Sequence, residues 1–257
     1  MKKHFKISAE WMQKKYLNSN SKLIEIGSND GTLLKNFNNT NIDYIGFEPS
    51  KTIANLANKN KIKTLSFFFN QESIREIKSF INNTDIICSA NVIAHIPDLR
   101  DVIMSIDKLL STKGVFIFED PYLGSMFSQV SYDQIYDEHI FLFSLSSVKK
   151  IFELFDFELI DAIPLNTHGG SMRYVIGRKN IHAVNKKVNE ILDNEKINKL
   201  DDISSCLKFK QDCEKSKEKT IKEVNKLKEL GKRICGYAAT AKSTTLLNYC
   251  KLDSETI

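Results

Sequence analysis

Lys22-Leu23-Ile24-Glu25-Ile26-Gly27-Ser28-Asn29-Asp30-Gly31-Thr32-Leu33-Leu34 is an apolar, β-branched run that breaks into a small polar turn and then becomes apolar again. The pattern predicts a strand, a ligand-binding turn and the N-terminus of a helix. Gly27 lets the backbone turn sharply after the strand, and Gly31 lets the following helix pack close to it. Free N–H groups at that helix start are expected to face the ligand. A nucleoside is the expected ligand class.

Glycine spacing separates two nucleoside-binding readings. A dinucleotide fingerprint requires G-x-G-x-x-G, but Asn29 and Thr32 stand where its second and third glycines belong, so no glycine cradle for a pyrophosphate is expected. A second apolar run, Tyr44-Ile45-Gly46-Phe47, ends in Glu48. A carboxylate at a second strand end can accept both ribose hydroxyls. Together, Glu25-x-Gly27-x-x-x-Gly31 and Glu48 resemble the S-adenosylmethionine site of a class I methyltransferase. The alternative is an ordinary strand-turn-helix with a solvated Glu48.

The 257 residues, 42% of them hydrophobic, suffice for one large or two ordinary domains. No run of some 18 apolar residues occurs, and the opening Met-Lys-Lys-His-Phe-Lys leads into mixed polar sequence, so a cytoplasmic protein away from membranes is expected. Cys88, Cys206, Cys213, Cys235 and Cys250 are scattered, odd in number and lack a C-x-x-C pair. They predict neither a disulfide framework nor a metal site. Of the net charge of +5, most comes from residues 179–232, which hold 14 lysines against 10 acids. Pairs such as Glu218 and Lys222 sit at helical spacing, which describes a solvated helix face rather than a nucleic-acid patch.

In chain order, residues 5–17 predict a helix whose aromatic residues are candidates to wall the site. A helix to about residue 37 follows the turn. After the strand ending at Glu48 come a helix over 50–58, a strand over 62–68, a helix over 72–81, a strand over 85–88, a helix over 99–110 and a strand over 114–118. This alternation predicts a parallel sheet with right-handed crossovers. Residues 145–155 predict a further helix, and 157–164 and 172–176 two closing strands. Residues 182–230 carry apolar side chains at helical spacing and predict a helical connector. Residues 233–248 repeat strand, small-residue turn and helix, with a single strand that has no partner in the chain.

Ligands of such sheets lie beyond the carboxyl ends of the strands. Four stretches collect there or nearby. Ser89-Ala90-Asn91-Val92-Ile93-Ala94-His95-Ile96-Pro97-Asp98 and Glu119-Asp120-Pro121-Tyr122 follow the fourth and fifth strands. His95 reads equally as a packed histidine, a helix cap or a group beside the cofactor. Ser131-Tyr132-Asp133-Gln134-Ile135-Tyr136-Asp137-Glu138-His139-Ile140-Phe141 is dense in proton-moving groups. His139 titrates nearest working pH, and Glu138 or Asp137 can orient it or stabilise its charge. In Asn166-Thr167-His168-Gly169-Gly170-Ser171-Met172-Arg173 the glycines permit close backbone approach, which puts His168 and Arg173 within reach of an acceptor; a plain hairpin connection explains them as well.

Glu25 to Leu34, Ala90 to Asp98, Tyr136-Asp137-Glu138-His139, Thr167-His168-Gly169-Gly170-Ser171 and Lys242-Ser243-Thr244-Thr245-Leu246-Leu247-Asn248-Tyr249 resemble the nucleotide-sugar C-methyltransferases of deoxysugar biosynthesis, over nearly the whole chain. The resemblance implies a seven-stranded Rossmann-like α/β core over residues 1–180, a helical connector over 181–232 and the start of a second α/β domain over 233–257. It implies methyl transfer from S-adenosylmethionine to a ring carbon next to the keto group of a nucleotide-linked hexose. For the cofactor it implies Glu25, Gly27, Ser28, Asn29, Gly31, Glu48, Pro49, Asn91 and His95. For catalysis it implies His139 as base, Glu138 as its electrostatic partner or an alternative base, Tyr136 as a hydroxyl holding the sugar, and His168 in reserve. Family members also carry an amino-terminal zinc module and a complete carboxy-terminal domain, so separate chains supplying those modules are an expected class of partner. The alternatives are an O- or N-methyltransferase and a cofactor-binding module without turnover.

Overall fold

The computed structural model describes residues 1–237 and 240–256. Its centre is strand β1 (Lys22–Ile26), in which Leu23, Ile24, Glu25 and Ile26 are all buried. A strand covered on both faces reads as a continuous apolar run rather than an alternation. β1 pairs in parallel with β2 (Asp43–Phe47) and with β4 (Thr84–Ala90). β2 also pairs with β3 (Thr64–Leu65), and β4 with β5 (Leu110–Pro121). β6 (Phe157–Leu165) and β7 (Ser171–Arg178) close the sheet as a hairpin, with β7 antiparallel to β5. The order β3-β2-β1-β4-β5-β7-β6 is that of a class I methyltransferase sheet.

Helices cover both faces. α1 (Lys2–Tyr16) and α2 (Lys51–Lys59) place Ala9, Met12 and Ala57 on one side, against Leu23, Ile86, Val115 and Ile117. α3 (Leu99–Leu109) and α5 (Leu145–Glu153) bury Val102, Ile103, Ile106, Val148 and Phe152 on the other, against Ile24, Ile87, Phe116 and Phe118. Each fully buried Ile or Phe contributes about 1.5–3 kcal/mol. Truncating Ile24, which is completely buried at the middle of the sheet, to alanine costs about 2–5 kcal/mol.

Local structure departs from the sequence reading where short polar side chains compete with the backbone. The helix expected after Gly31 is only a 3-10 turn, Leu34–Phe37. There Asp30 Oδ1 accepts from the Thr32 amide at 3.0 Å, and the Asn36 amide donates to the Thr32 and Leu33 carbonyls at 3.1 and 2.8 Å. Residues 73–80 form 3-10 turns kinked at Ile77, and the third strand has two residues where seven were expected. Helix α4 (Leu123–Gln129), too short and too rich in Gly and Ser for a periodic signal, was not anticipated.

The connector is helical, as α6 (Lys186–Ile197) and α7 (Ile203–Glu229). Residues 233–237 form no strand. Helix α8 (Ala241–Cys250) begins with a Thr240–Ser243 capping box and is seated on the 3-10 turn Tyr132–Gln134. Cys250 is fully buried there, beside the Tyr132 hydroxyl. Among the described residues no helix is long and apolar enough to cross a membrane.

Candidate active site

The turn after β1 is built from left-handed residues. Gly27, Asn29 and Gly31 have φ of 68°, 48° and 77°. A Cβ on Gly31 would stand 2.6 Å from Ile62, and one on Gly27 would collide with Val92, so both positions need glycine for space as well as backbone. The expected free N–H groups are absent from this turn. Gly27 and Ser28 donate to the Phe47 carbonyl at 2.8 and 3.0 Å, and Gly31 donates to the Ser28 carbonyl at 2.9 Å. Asn29 donates to Glu48 Oε2 at 3.1 Å, and Asp30 to Asn29 Oδ1 at 2.8 Å. The turn spends its donors internally.

What the turn offers instead is acceptors. Glu25 is buried with Oε2 lacking a hydrogen-bond partner, and burial, then the charges of Asp30 and Glu48, push its pKa well up. Glu48, half-buried at the end of β2, is held by the Asn29 amide on one oxygen and the Ser50 amide at 2.9 Å on the other. Three carboxylates at one turn repel a pyrophosphate and attract a cation that carries hydroxyls. This donor set fits S-adenosylmethionine: Glu25 would take its ammonium and Glu48 its ribose hydroxyls. Ser28 faces the other way, its buried hydroxyl packed against Gly46, and Pro49 is exposed beside Glu48.

Val92, packed on Gly27, leads into the 3-10 turn Ile93–His95 and so links the cofactor turn to the second half of the site. Asn91 turns this chain with φ of 57°, its N–H donating to the Glu119 carbonyl at 2.7 Å. Ile140 and Phe141 both donate to the Ala94 carbonyl, at 3.0 and 3.1 Å. That clamp brings the ring centroids of His95 and His139 to 5.0 Å.

Both imidazoles are oriented by the backbone. His139 Nδ1 lies 2.7 Å from the Gln134 carbonyl, and His95 Nδ1 lies 2.6 Å from the Glu138 carbonyl. A carbonyl only accepts, so each Nδ1 carries the hydrogen and each Nε2 presents its lone pair. The Tyr136 hydroxyl, 3.0 Å away, donates to His139 Nε2. Burial lowers the pKa of His139, with the neighbouring His95 and Lys242 adding to the effect against the Gln134 carbonyl and Glu138. The ring is thereby kept as a neutral base.

The remaining expected residues separate into two groups. Glu138 is exposed; its carbonyl holds His95 Nδ1, and its charge acts to raise the pKa of His139. His168 caps the β6–β7 hairpin with φ of 52°, and its carbonyl accepts from the Gln134 side chain at 2.7 Å. Arg173 lies elsewhere, buried against Glu119 at 2.6 Å, bonded to Ser8 at 3.0 Å and stacked on Trp11. It fastens α1 to the sheet. Burial would raise the pKa of Glu119, but His4 and Arg173 outweigh it and hold the carboxyl low. Gln134 and the fully buried Asp120 lie inside stretches singled out in the sequence, but neither stands there as a candidate for a role of its own.

A cleft of about 540 Å³ between α4, α6 and α7, lined by Phe127, Met172 and Phe209, shares no residue with the glycine turn or the histidine pair.

The comparisons with known proteins bear on the family and the fold. Residues 7–162 match the family model described as a methyltransferase domain, and residues 166–257 match a C-methyltransferase C-terminal domain. The chain is 28% identical over 236 residues to the C-methyltransferase NovU of Streptomyces niveus, covering 91% of this chain and 56% of that protein. It thus spans about half the length of this curated relative. YcgJ of Bacillus subtilis shares the fold with a TM-score of 0.51 at 14% identity, over 68% of this chain and 99% of its own. A SAM-dependent methyltransferase of Archaeoglobus fulgidus does so with a TM-score of 0.51 at 15% identity, over 68% and 94%. With a family model matching well over half of its residues, the chain belongs to the methyltransferase-domain family.

Proposed function

We propose that the chain is a C-methyltransferase acting on a carbon next to the keto group of a nucleotide-linked sugar. The observation that carries this reading is the His139 imidazole, with Nδ1–H fixed on Gln134 and Nε2 directed at Tyr136. Carbon is a poor nucleophile, and its proton must leave before it can attack. His139 Nε2 takes that proton as the C–H bond breaks, and the electron pair moves into an enolate whose negative charge rests on the former ketone oxygen. S-adenosylmethionine supplies an electrophilic methyl on a sulfonium. Tyr136 holds the base and the sugar in register. The likeness to NovU and the match to a C-methyltransferase C-terminal domain support carbon as the acceptor atom.

The test is the bond that forms. The protein is incubated with a 4-keto nucleotide sugar and S-adenosylmethionine labelled with carbon-13 in the methyl, and the product is read by NMR. A methyl coupled to a sugar-ring carbon is expected. A methyl on oxygen or nitrogen would replace this reading with that of an O- or N-methyltransferase, and binding of the cofactor with no transfer to any acceptor would leave a binding module.

A further inference from the structure

α8 brings a cation to the histidines. Thr245 Oγ1 donates to the Ile135 carbonyl at 3.1 Å, and the Tyr249 ring lies 5.0 Å from that of Tyr132. Lys242, Thr245 and Tyr249 recur at helical spacing and share one face. Tyr249 and Thr245 therefore fix where Lys242 stands: one turn beyond Ile135, at the end of α8 nearest Tyr136 and His139. Helical side chains lean toward the N-terminus, which carries the ammonium further that way.

The hairpin turn meets the same segment, since the Gln134 side chain holds the His168 carbonyl. Three elements distant in sequence thus gather His139, His168 and Lys242 around residues 132–139. Lys242 is half-buried, and among the described residues its ammonium has neither a hydrogen bond nor an ion pair. Its charge lowers the pKa of both His139 and His168, after desolvation. The charge of Asp133 acts against desolvation and is outweighed by it, so that the pKa of Lys242 is lowered too. A partly desolvated ammonium beside two imidazoles, opposed by Asp133 but forming no ion pair among the described residues, is a group that an anion would stabilise.

We propose that Lys242 receives the oxyanion of the acceptor beside His139. This role rests on the keto nucleotide-sugar reading, whose acceptor carries two oxyanions: the enolate oxygen that forms as the proton leaves, and the diphosphate. The enolate is favoured, because the Lys242 charge acts on the base itself and would there act on the charge the base creates.

The test uses the full chain with Lys242→Met and Lys242→Arg. Without acceptor, NMR titration follows His139 and His168. His139 also faces His95 and Glu138, while His168 faces His4, Glu119 and the chain's N-terminal amine; these groups are unchanged in both variants. Lys242→Met should raise both imidazole pKa values and Lys242→Arg should not, with affinity for S-adenosylhomocysteine unchanged in both. Solvent-deuterium exchange into a 4-keto nucleotide sugar should fall on the order of 10²-fold in Lys242→Met, as on removal of an oxyanion donor, and recover in Lys242→Arg. Affinity for a free nucleoside diphosphate is the third reading: unchanged in Lys242→Met if the enolate is the partner, weakened if it is the diphosphate. Imidazoles that do not respond would overturn the placement of Lys242. Responsive imidazoles with exchange and diphosphate affinity both intact would overturn its role. A wild type that shows no exchange would refute the keto-acceptor reading while the titration still judged the placement.

Discussion

Tyr136 and His139 share one hydrogen bond, 3.0 Å between the phenol oxygen and Nε2, and that bond occupies the lone pair the reaction requires. A phenol donating to Nε2 favours the neutral ring and so lowers its pKa, in the same direction as the burial of His139. Removing the hydroxyl should release that part of the effect. Tyr136→Phe is expected to move the acid limb of the pH–rate profile upward while the limiting rate changes by no more than about tenfold, the worth of one neutral hydrogen bond. A collapse of the rate by several orders of magnitude would make the phenol the proton carrier instead.

The carboxylate turn makes a separate prediction about protons. Glu25 is buried beside Asp30 and Glu48, and its pKa stands well above the ordinary range when no cation is present. An ammonium placed against it favours the charged form and expels the proton. Calorimetry of S-adenosylmethionine binding in two buffers of different ionisation enthalpy, at a pH below that raised value, should show proton release. Glu25→Gln should abolish the release and weaken binding. Release that persists in Glu25→Gln would place the titrating group elsewhere.

Asp120 tests the same physics where no ligand is invoked. It is fully buried at the end of β5, and burial, aided by Glu119, raises its pKa well above the usual carboxylate range against the pull of the Ile93 and Ala94 amides. A carboxyl whose folded pKa is raised stabilises the fold below its unfolded pKa of about 3.9, and that contribution is lost as pH rises through the folded value. Asp120→Asn cannot ionise and keeps the shape. Thermal unfolding as a function of pH should show the wild type losing stability relative to Asp120→Asn across that window. Parallel curves for the two proteins would mean that Asp120 is ionised in the fold.

The sheet could be read from the sequence because burial on both faces forces unbroken apolar runs, as in β1, β4 and β5. The turn at Gly27 to Gly31 and the position of Glu48 stand out in the sequence for the same reason: they lie where those runs stop. The donors of the glycine turn were misread, because whether an amide is free depends on Phe47 and Glu48, some twenty residues away. The orientation of His139 was not legible either. Its partner at Nδ1 is a main-chain carbonyl, that of Gln134, and a carbonyl has no signature in sequence. Arg173 misled for a related reason: a hairpin arginine beside glycines looks available to a ligand until Glu119 and Ser8, from β5 and α1, are brought against it. α8 was read as the start of a unit lacking partners, since its seat on Tyr132 and Ile135 joins residues more than a hundred positions apart.

If His139 removes a proton from carbon, solvent-deuterium exchange measures that step without methyl transfer. The acceptor is a 4-keto nucleotide sugar, and S-adenosylhomocysteine fills the cofactor turn. Deuterium should enter the carbon next to the ketone with the wild type and with Glu138→Ala. His139→Ala should lose that exchange on the order of 10²- to 10⁴-fold while binding S-adenosylhomocysteine as before. Undiminished exchange in His139→Ala would mean that His139 is not the base, and its loss in Glu138→Ala instead would hand the proton to the carboxylate.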